Sequence, residues 1–181
     1  MVTHYIKTLF NYAHKSIEAG FSDSEFRPEK VPKELMKKQG VFVTLTINGR
    51  LRGCIGLVKP TPLWKGVIEA ARSSAFDDYR FMPLSQDEYK QVLIEISILT
   101  KPVKTTRQAI KKGDGVIIKK GHYSALFLPQ VWNELPNKEE FLKQLFIKAG
   151  LKTSEQGINY LKFKVKAWKE KSLNLIKPVN P

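Results

Sequence analysis

Apolar residues recur at helical spacing through residues 3–19. Ile6, Leu9, Phe10, Ala13 and Ile17 share one face, and Gly20 ends the run. Residues 21–39 lose this period. They carry Pro28, Pro32 and many charges, with one helical turn expected over 33–38. The pattern then becomes that of strands. Two β-rich runs flank Asn48-Gly49, the strongest short hairpin signal, and predict a hairpin over 41–56. Thr61 as N-cap and Pro62 as first helical residue predict a second helix to Phe76, with Leu63, Trp64, Val67, Ile68, Ala71 and Ala75 inward. A loop over 77–84 follows, then a strand over 92–100 that is apolar on both faces except at Glu95 and Ser97.

The second half repeats this order. Residues 115–120 and 123–128 form a hairpin that turns at Gly121-His122. Asn137 with Glu140 is a capping-box pattern for a helix that ends at Gly150 and buries Phe141, Leu142, Leu145 and Phe146. Residues 160–168 read as one strand, with Leu161, Phe163, Val165 and Ala167 opposite Lys162, Lys164 and Lys166. Hairpin, helix and strand thus occur twice, at 41–100 and 115–168, as a duplication of pattern without repeated residues. The expected fold class is α+β: antiparallel sheets with helices in one domain, 1–181, of two closely packed lobes. The lobes divide near residue 100, and 171–181 form a loosely held tail.

Composition narrows the classes of function. Hydrophobic content of 42% and charged content of 27% are ordinary for a globular protein. No apolar run nears the roughly 20 residues of a membrane span, and the N-terminus shows no signal pattern, so the cytosol is the expected compartment. A single cysteine excludes an internal disulfide and a cysteine-cluster zinc site. His4 and His14, ten apart, do not have metal-ligand spacing. Gly113-Asp114-Gly115 lacks the helix and Lys-Ser/Thr of a phosphate loop, so neither metal nor cofactor is expected. Net charge is +14 and uneven: residues 1–100 hold 14 Lys and Arg against 11 Asp and Glu, and residues 101–181 hold 17 against 6. The basic half could meet nucleic acid or an acidic partner. Only Arg107 among those 17 cations is arginine, which fits a solvated lysine surface equally well.

Leu51-Arg52-Gly53-Cys54-Ile55-Gly56 holds the lone cysteine on the second strand of the first hairpin. A two-residue turn pairs Ile47 with Arg50, Leu45 with Arg52 and Val43 with Cys54. Arg52 and Cys54 then share a side, about 7 Å apart at two residues of strand rise. A guanidinium so placed could favour the thiolate. Gly53 and Gly56 leave room for a ligand or a second backbone. An arginine on a covered face needs a partner, and Glu95 is the candidate. The bland alternative has Cys54 as a small packed apolar group and Arg52 clamping a carboxylate or a carbonyl. A nucleophilic cysteine commonly has a histidine in reach, and only His122 is placed even loosely for it. Asp78 reads as a loop carboxylate bridged to Arg80, and Gln130 as satisfying backbone groups at a strand end.

On these residues the chain resembles the AMMECR domain family over nearly its whole length. The resemblance rests on Leu51-Arg52-Gly53-Cys54-Ile55-Gly56 and on Gly40-Val41-Phe42-Val43-Thr44-Leu45 before it. Phe81-Met82-Pro83-Leu84, Ile94-Glu95-Ile96-Ser97-Ile98-Leu99, Asp114-Gly115-Val116-Ile117-Ile118, Leu126-Phe127-Leu128-Pro129-Gln130-Val131 and Lys148-Ala149-Gly150-Leu151 complete it. Three departures stand out. Tyr79 precedes Arg80 where the family usually has proline. Phe146 lies where a second cysteine is common. His122-Tyr123-Ser124-Ala125 replaces a turn richer in Gly and Arg. The resemblance implies a two-lobed α+β fold. It also implies an association with a Memo-like protein and a radical SAM protein.

Three functions are open at this point. The first is an enzyme or covalent carrier using Cys54 in a pocket with Arg52 and Glu95. The second is a non-catalytic adaptor for a Memo-like or radical SAM partner, with a groove formed by Arg52-Gly53-Cys54, Asp77-Asp78-Tyr79-Arg80 and Pro129-Gln130; Gly56 and His122 are further candidate binding residues. The third is a basic nucleic-acid-binding protein.

Overall fold

The computed structural model describes residues 2–170; the expected tail at 171–181 lies outside the described residues. Helix α1 (Val2–Gly20) buries Ile6, Leu9, Phe10, Ala13 and Ile17, the stripe its period predicts. A single 3-10 turn, Lys33–Met36, leads into the hairpin of β1 (Lys38–Ile47) and β2 (Arg50–Pro62). Asn48 and Gly49 adopt φ of 51° and 79°, the left-handed pair such a two-residue turn requires.

Strand β2 continues past Gly56, because Gln39 pairs with Thr61 and Lys38 with Pro62. This pairing corrects the expected start of α2 (Leu63–Phe76). Thr61 is a strand residue whose hydroxyl donates to the Lys59 carbonyl, and Leu63 N–H donates to the Lys37 carbonyl. A one-turn helix, α3 (Gln86–Tyr89), precedes β3 (Leu93–Leu99).

The first sheet has the order β2-β1-β3-β8, with β8 at Val165–Lys169. Val41, Val43 and Leu45 alternate along β1 with Phe42, Thr44 and Thr46. The first set is fully buried with Ile94 and Ile96 of β3 in one core with residues of α1 and α2. The second set lies on the opposite face of the sheet and is half-buried.

The second sheet has the order β4-β7-β5-β6, from β4 (Val103–Thr105), β5 (Gly115–Lys120), β6 (Tyr123–Phe127) and β7 (Asn159–Phe163). Helix α4 (Lys138–Lys148) covers it with Phe141, Leu142, Leu145 and Phe146. Trp132, in the 3-10 turn Pro129–Asn133, stacks on Phe141 with ring centroids 3.9 Å apart. Asn137 caps α4 by accepting from Glu139 and Glu140 N–H, while the Glu140 carboxylate accepts from Gln144 Nε2 at 2.7 Å. The expected reciprocal box is thus only half made.

The strand expected over 160–168 is two strands in two sheets. At Lys164 the backbone N–H donates to Thr100 Oγ1 at 2.9 Å and the carbonyl accepts from Thr100 N–H at 2.8 Å. The chain leaves β7 there and joins the edge of the first sheet as β8. Side-chain alternation carries no sign of this change of partner. Two compact units result among the described residues: 2–98 with 166–170, and Leu99–Val165. Among the described residues no helix is long and apolar enough to cross a membrane.

Candidate functional site

The recognisable strand segment is fixed from three directions, all within the first unit. Beneath it, α2 approaches so closely that a Cβ on Gly53 would lie 2.0 Å from the Ser74 carbonyl oxygen. On the next turn of contact, Ser74 enters the β1–β2 ladder. Its hydroxyl accepts from Ile55 N–H and donates to the Val43 carbonyl, each at 2.8 Å. The Phe42 ring covers Gly56, where a Cβ would stand 2.1 Å from Cδ1. Both glycines therefore make room for the protein's own atoms: Gly53 for a second backbone, one of the two uses expected, and Gly56 for an aromatic ring.

The outer edge of β2 is held by the loop after α2. Cys54 N–H donates to Asp78 Oδ2 at 2.8 Å, and Arg80 Nη2 donates to the Cys54 carbonyl at 3.2 Å. Arg80 also bridges both Asp78 oxygens, at 2.9 and 2.7 Å. The Asp78 carboxylate, 2% exposed, is pushed down to about 2 by the Arg80 guanidinium; burial opposes this, and the Cys54 N–H adds to it. Arg80 is raised in turn by Asp78.

Arg52 does not pair with Glu95. Its Nε and Nη2 donate to the two oxygens of Glu88 at 2.8 and 2.9 Å, and Nη2 also donates to the Met82 carbonyl at 2.8 Å. The Phe81 ring lies 5.7 Å from Arg52 Cζ and 5.6 Å from Arg80 Cζ. Glu88 is brought to about 2, chiefly by Arg52 and then by the Ser85 N–H it accepts. Ser85 and Glu88 form a complete capping box on α3. Glu88 lies outside the residues expected at the site, although Ser85-Gln86-Asp87-Glu88 carries the S-x-x-E signal that locates it.

The register also differs from the expected one. Leu45 pairs with Gly53 and Thr46 with Leu51, so a bulge leaves Arg52 without a partner across the ladder. Cys54 consequently faces Thr44 in place of Val43, and Cys54 Sγ lies 3.2 Å from Thr44 Oγ1. Thr44 pairs on its other side with Glu95, so Cys54, Thr44 and Glu95 form one row on the sheet face away from α2. Glu95 is held by Lys169 at 3.4 Å and by the Ser97 hydroxyl. Two strand spacings, about 10 Å, separate the backbones of Cys54 and Glu95. The thiol is half-buried.

His122 and Gln130 lie in the second unit, at the β5–β6 turn and in the 3-10 turn after β6. Several lysines of the basic half are engaged by the protein itself. Lys164 bridges to Asp114, Lys120 to Glu155, and Lys162 donates to the Ala109 carbonyl. A cleft of about 560 Å³ in this unit is lined by Arg107, Glu139, Glu140, Lys143, Thr153 and Ser154 among others; Arg107 pairs with Glu139 there. Among the described residues no group of three His, Cys, Asp or Glu could hold a metal ion.

The fold and this hairpin define an α+β protein of two antiparallel sheets, with a cysteine-bearing edge strand clamped by arginine–carboxylate pairs. The AMMECR1 family model matches residues 10–168, and the chain belongs to that family. A protein of Pyrococcus abyssi is 44% identical over 142 residues, covering 68% of this chain and 67% of the relative. A protein of Nanoarchaeum equitans is 37% identical over 155 residues, covering 79% and 86%. The crystal structure of uncharacterised protein PH0010 from Pyrococcus horikoshii superposes with a TM-score of 0.79 at 37% identity, covering 91% of this chain and 90% of that one.

Proposed function

We propose that this chain is a binding module whose docking surface is the loop after α2, laid along β2. One observation carries the reading. Tyr79 and Met82 are 93% and 80% exposed. Yet the backbone that bears them is tied to β2 by Asp78, Arg80 and Arg52 and to α2 by the Leu84 N–H, which donates to the Ala75 carbonyl. Leu51, also exposed, stands on the adjoining strand. Large apolar side chains held out on a rigid frame lose little entropy on association and suit the centre of a protein interface. The partner class is the Memo-like protein that the family resemblance implies.

Isothermal titration of the chain with a Memo-like protein tests this. Tyr79→Ser with Met82→Ser is expected to weaken binding at least about tenfold, as loss of a buried aromatic anchor does. Cys54→Ser is expected to bind like the parent. Equal binding by the double variant would refute the docking surface.

A second reading, a covalent carrier using Cys54, is favoured by the half-buried thiol in line with Thr44 and Glu95. It has lost its cation, because the Arg52 guanidinium is engaged by Glu88. Intact-mass analysis after incubation with activated acyl or alkyl donors tests it, and labelling confined to unfolded protein would count against it.

A further inference from the structure

Helix α3 is too short to stand alone: four residues form one hydrogen-bonded turn, and nucleating a turn is unfavourable without outside support. Its support comes from two consecutive residues that reach in different directions. Glu88 reaches Arg52 at the edge of β2. Tyr89 reaches a cluster in which its hydroxyl donates to Glu18 Oε1 at 2.9 Å and meets His14 Nδ1 at 2.7 Å. His14 Nε2 faces Glu170 Oε1 across 2.5 Å, and Glu170 Oε2 accepts from the N–H of Ile94 on β3. Glu170, just past β8, is 3% exposed and His14 12% exposed. The Tyr89 ring also packs edge-on against Phe21 and His14. Burial is the main cause that raises the Tyr89 hydroxyl far above its usual range.

We propose that α3 is a strap with two anchors, and that its opening couples the His14–Glu170 clasp to Arg52. The physical reason is cooperativity within one turn. A four-residue helix cannot lose one anchor and keep the geometry of the other, so the two anchors stabilise each other. Release of Tyr89 favours the open turn and takes both Glu88 oxygens from Arg52. Arg52 also holds the Met82 carbonyl, so the loop bearing Tyr79 and Met82 loosens with it. The consequence for partner binding rests on the docking reading above; the coupling itself does not.

Hydrogen exchange followed by mass spectrometry on the full chain separates the two claims, because it needs no partner. Tyr89→Phe removes one hydroxyl and keeps the packed ring, so the protein remains folded. Exchange over residues 84–92 is expected to rise about fivefold or more, the lower end of ordinary coupling strengths. Exchange over residues 52–55 should rise in the same direction, while residues 116–118 of β5 stay unchanged. Glu170→Gln should reproduce the pattern from the far end of the cluster. In the double variant Tyr89→Phe with Arg52→Lys, the rise at 84–92 should fall short of the product of the two single effects. Faster exchange at 84–92 with unchanged exchange at 52–55 would overturn the coupling. Unchanged exchange at both would overturn the strap. A rise that includes residues 116–118 equally would mean global destabilisation and would also contradict the proposal.

Discussion

The two units are built from similar parts and use their polar residues differently. In the first, polar side chains next to the hairpin bind backbone: buried Asp78 holds Cys54 N–H, Arg52 holds the Met82 carbonyl, and buried Ser74 sits inside the ladder. In the second, most ion pairs lie at the surface, as between Lys143 and Glu140, and Asp114 is the buried carboxylate. Its core instead gains definition from the Trp132–Phe141 stack. The contrast shows why the chain's most recognisable segment lies in the first unit. Its residue types are dictated by a backbone that must fit between a helix, a ring and a loop. The basic charge of the second half is mostly a surface property and constrains the fold little.

Substitutions can be ordered by this contrast. Gly53→Ala has the largest expected effect, because its new Cβ meets the backbone of Ser74, which cannot swing away. A loss of about 3 kcal/mol is expected, read as a fall in Tm of about 10 °C. Next is Asp78→Asn, which leaves the Arg80 guanidinium and the Cys54 N–H with a neutral partner. Because Arg80 is 43% exposed, the cost is about 2 kcal/mol, below that of a fully buried pair. In the second unit, Trp132→Phe keeps the stack but loses the indole N–H that donates to the Asp114 carbonyl, for about 1 kcal/mol. Lys143→Ala at the surface should fall within about 0.5 kcal/mol of the parent in the same melts.

Acid sharpens the same comparison. Asp78 and Glu88 are both held at about 2 in the folded chain, below the ordinary carboxylate value. Their contribution is therefore complete above about pH 5 and is lost as pH falls through about 4 toward 2. Urea unfolding of the parent between those limits should show stability falling with pH. Asp78→Asn should flatten that fall, whereas Lys143→Ala should leave it unchanged.

Much of the fold was legible because local chemistry and tertiary structure agree. Asn48-Gly49 adopts the turn its residue types demand, and the stripes of α1 and α4 are buried as their periods predict. The site was less legible for non-local reasons. The bulge at Arg52 accompanies a helix pressed onto Gly53 and a serine inserted from α2, neither of which leaves a trace in the strand's own pattern. One slipped residue moved Cys54 from Val43 to Thr44. The Glu88 partner was readable from its capping box, but its contact with Arg52, 36 positions away, was not. The division of 160–168 between two sheets depends on Thr100 and lies outside any periodicity argument.

The Arg52 guanidinium serves the frame and not the thiol. Alkylation of Cys54 by iodoacetamide, followed against pH in the parent and in Arg52→Gln, which removes the charge, is the test. The variant is expected to have a lower Tm with no change in the midpoint of the rate profile. A midpoint that moves upward when the guanidinium is lost would contradict it and return Arg52 to the chemistry of the thiol.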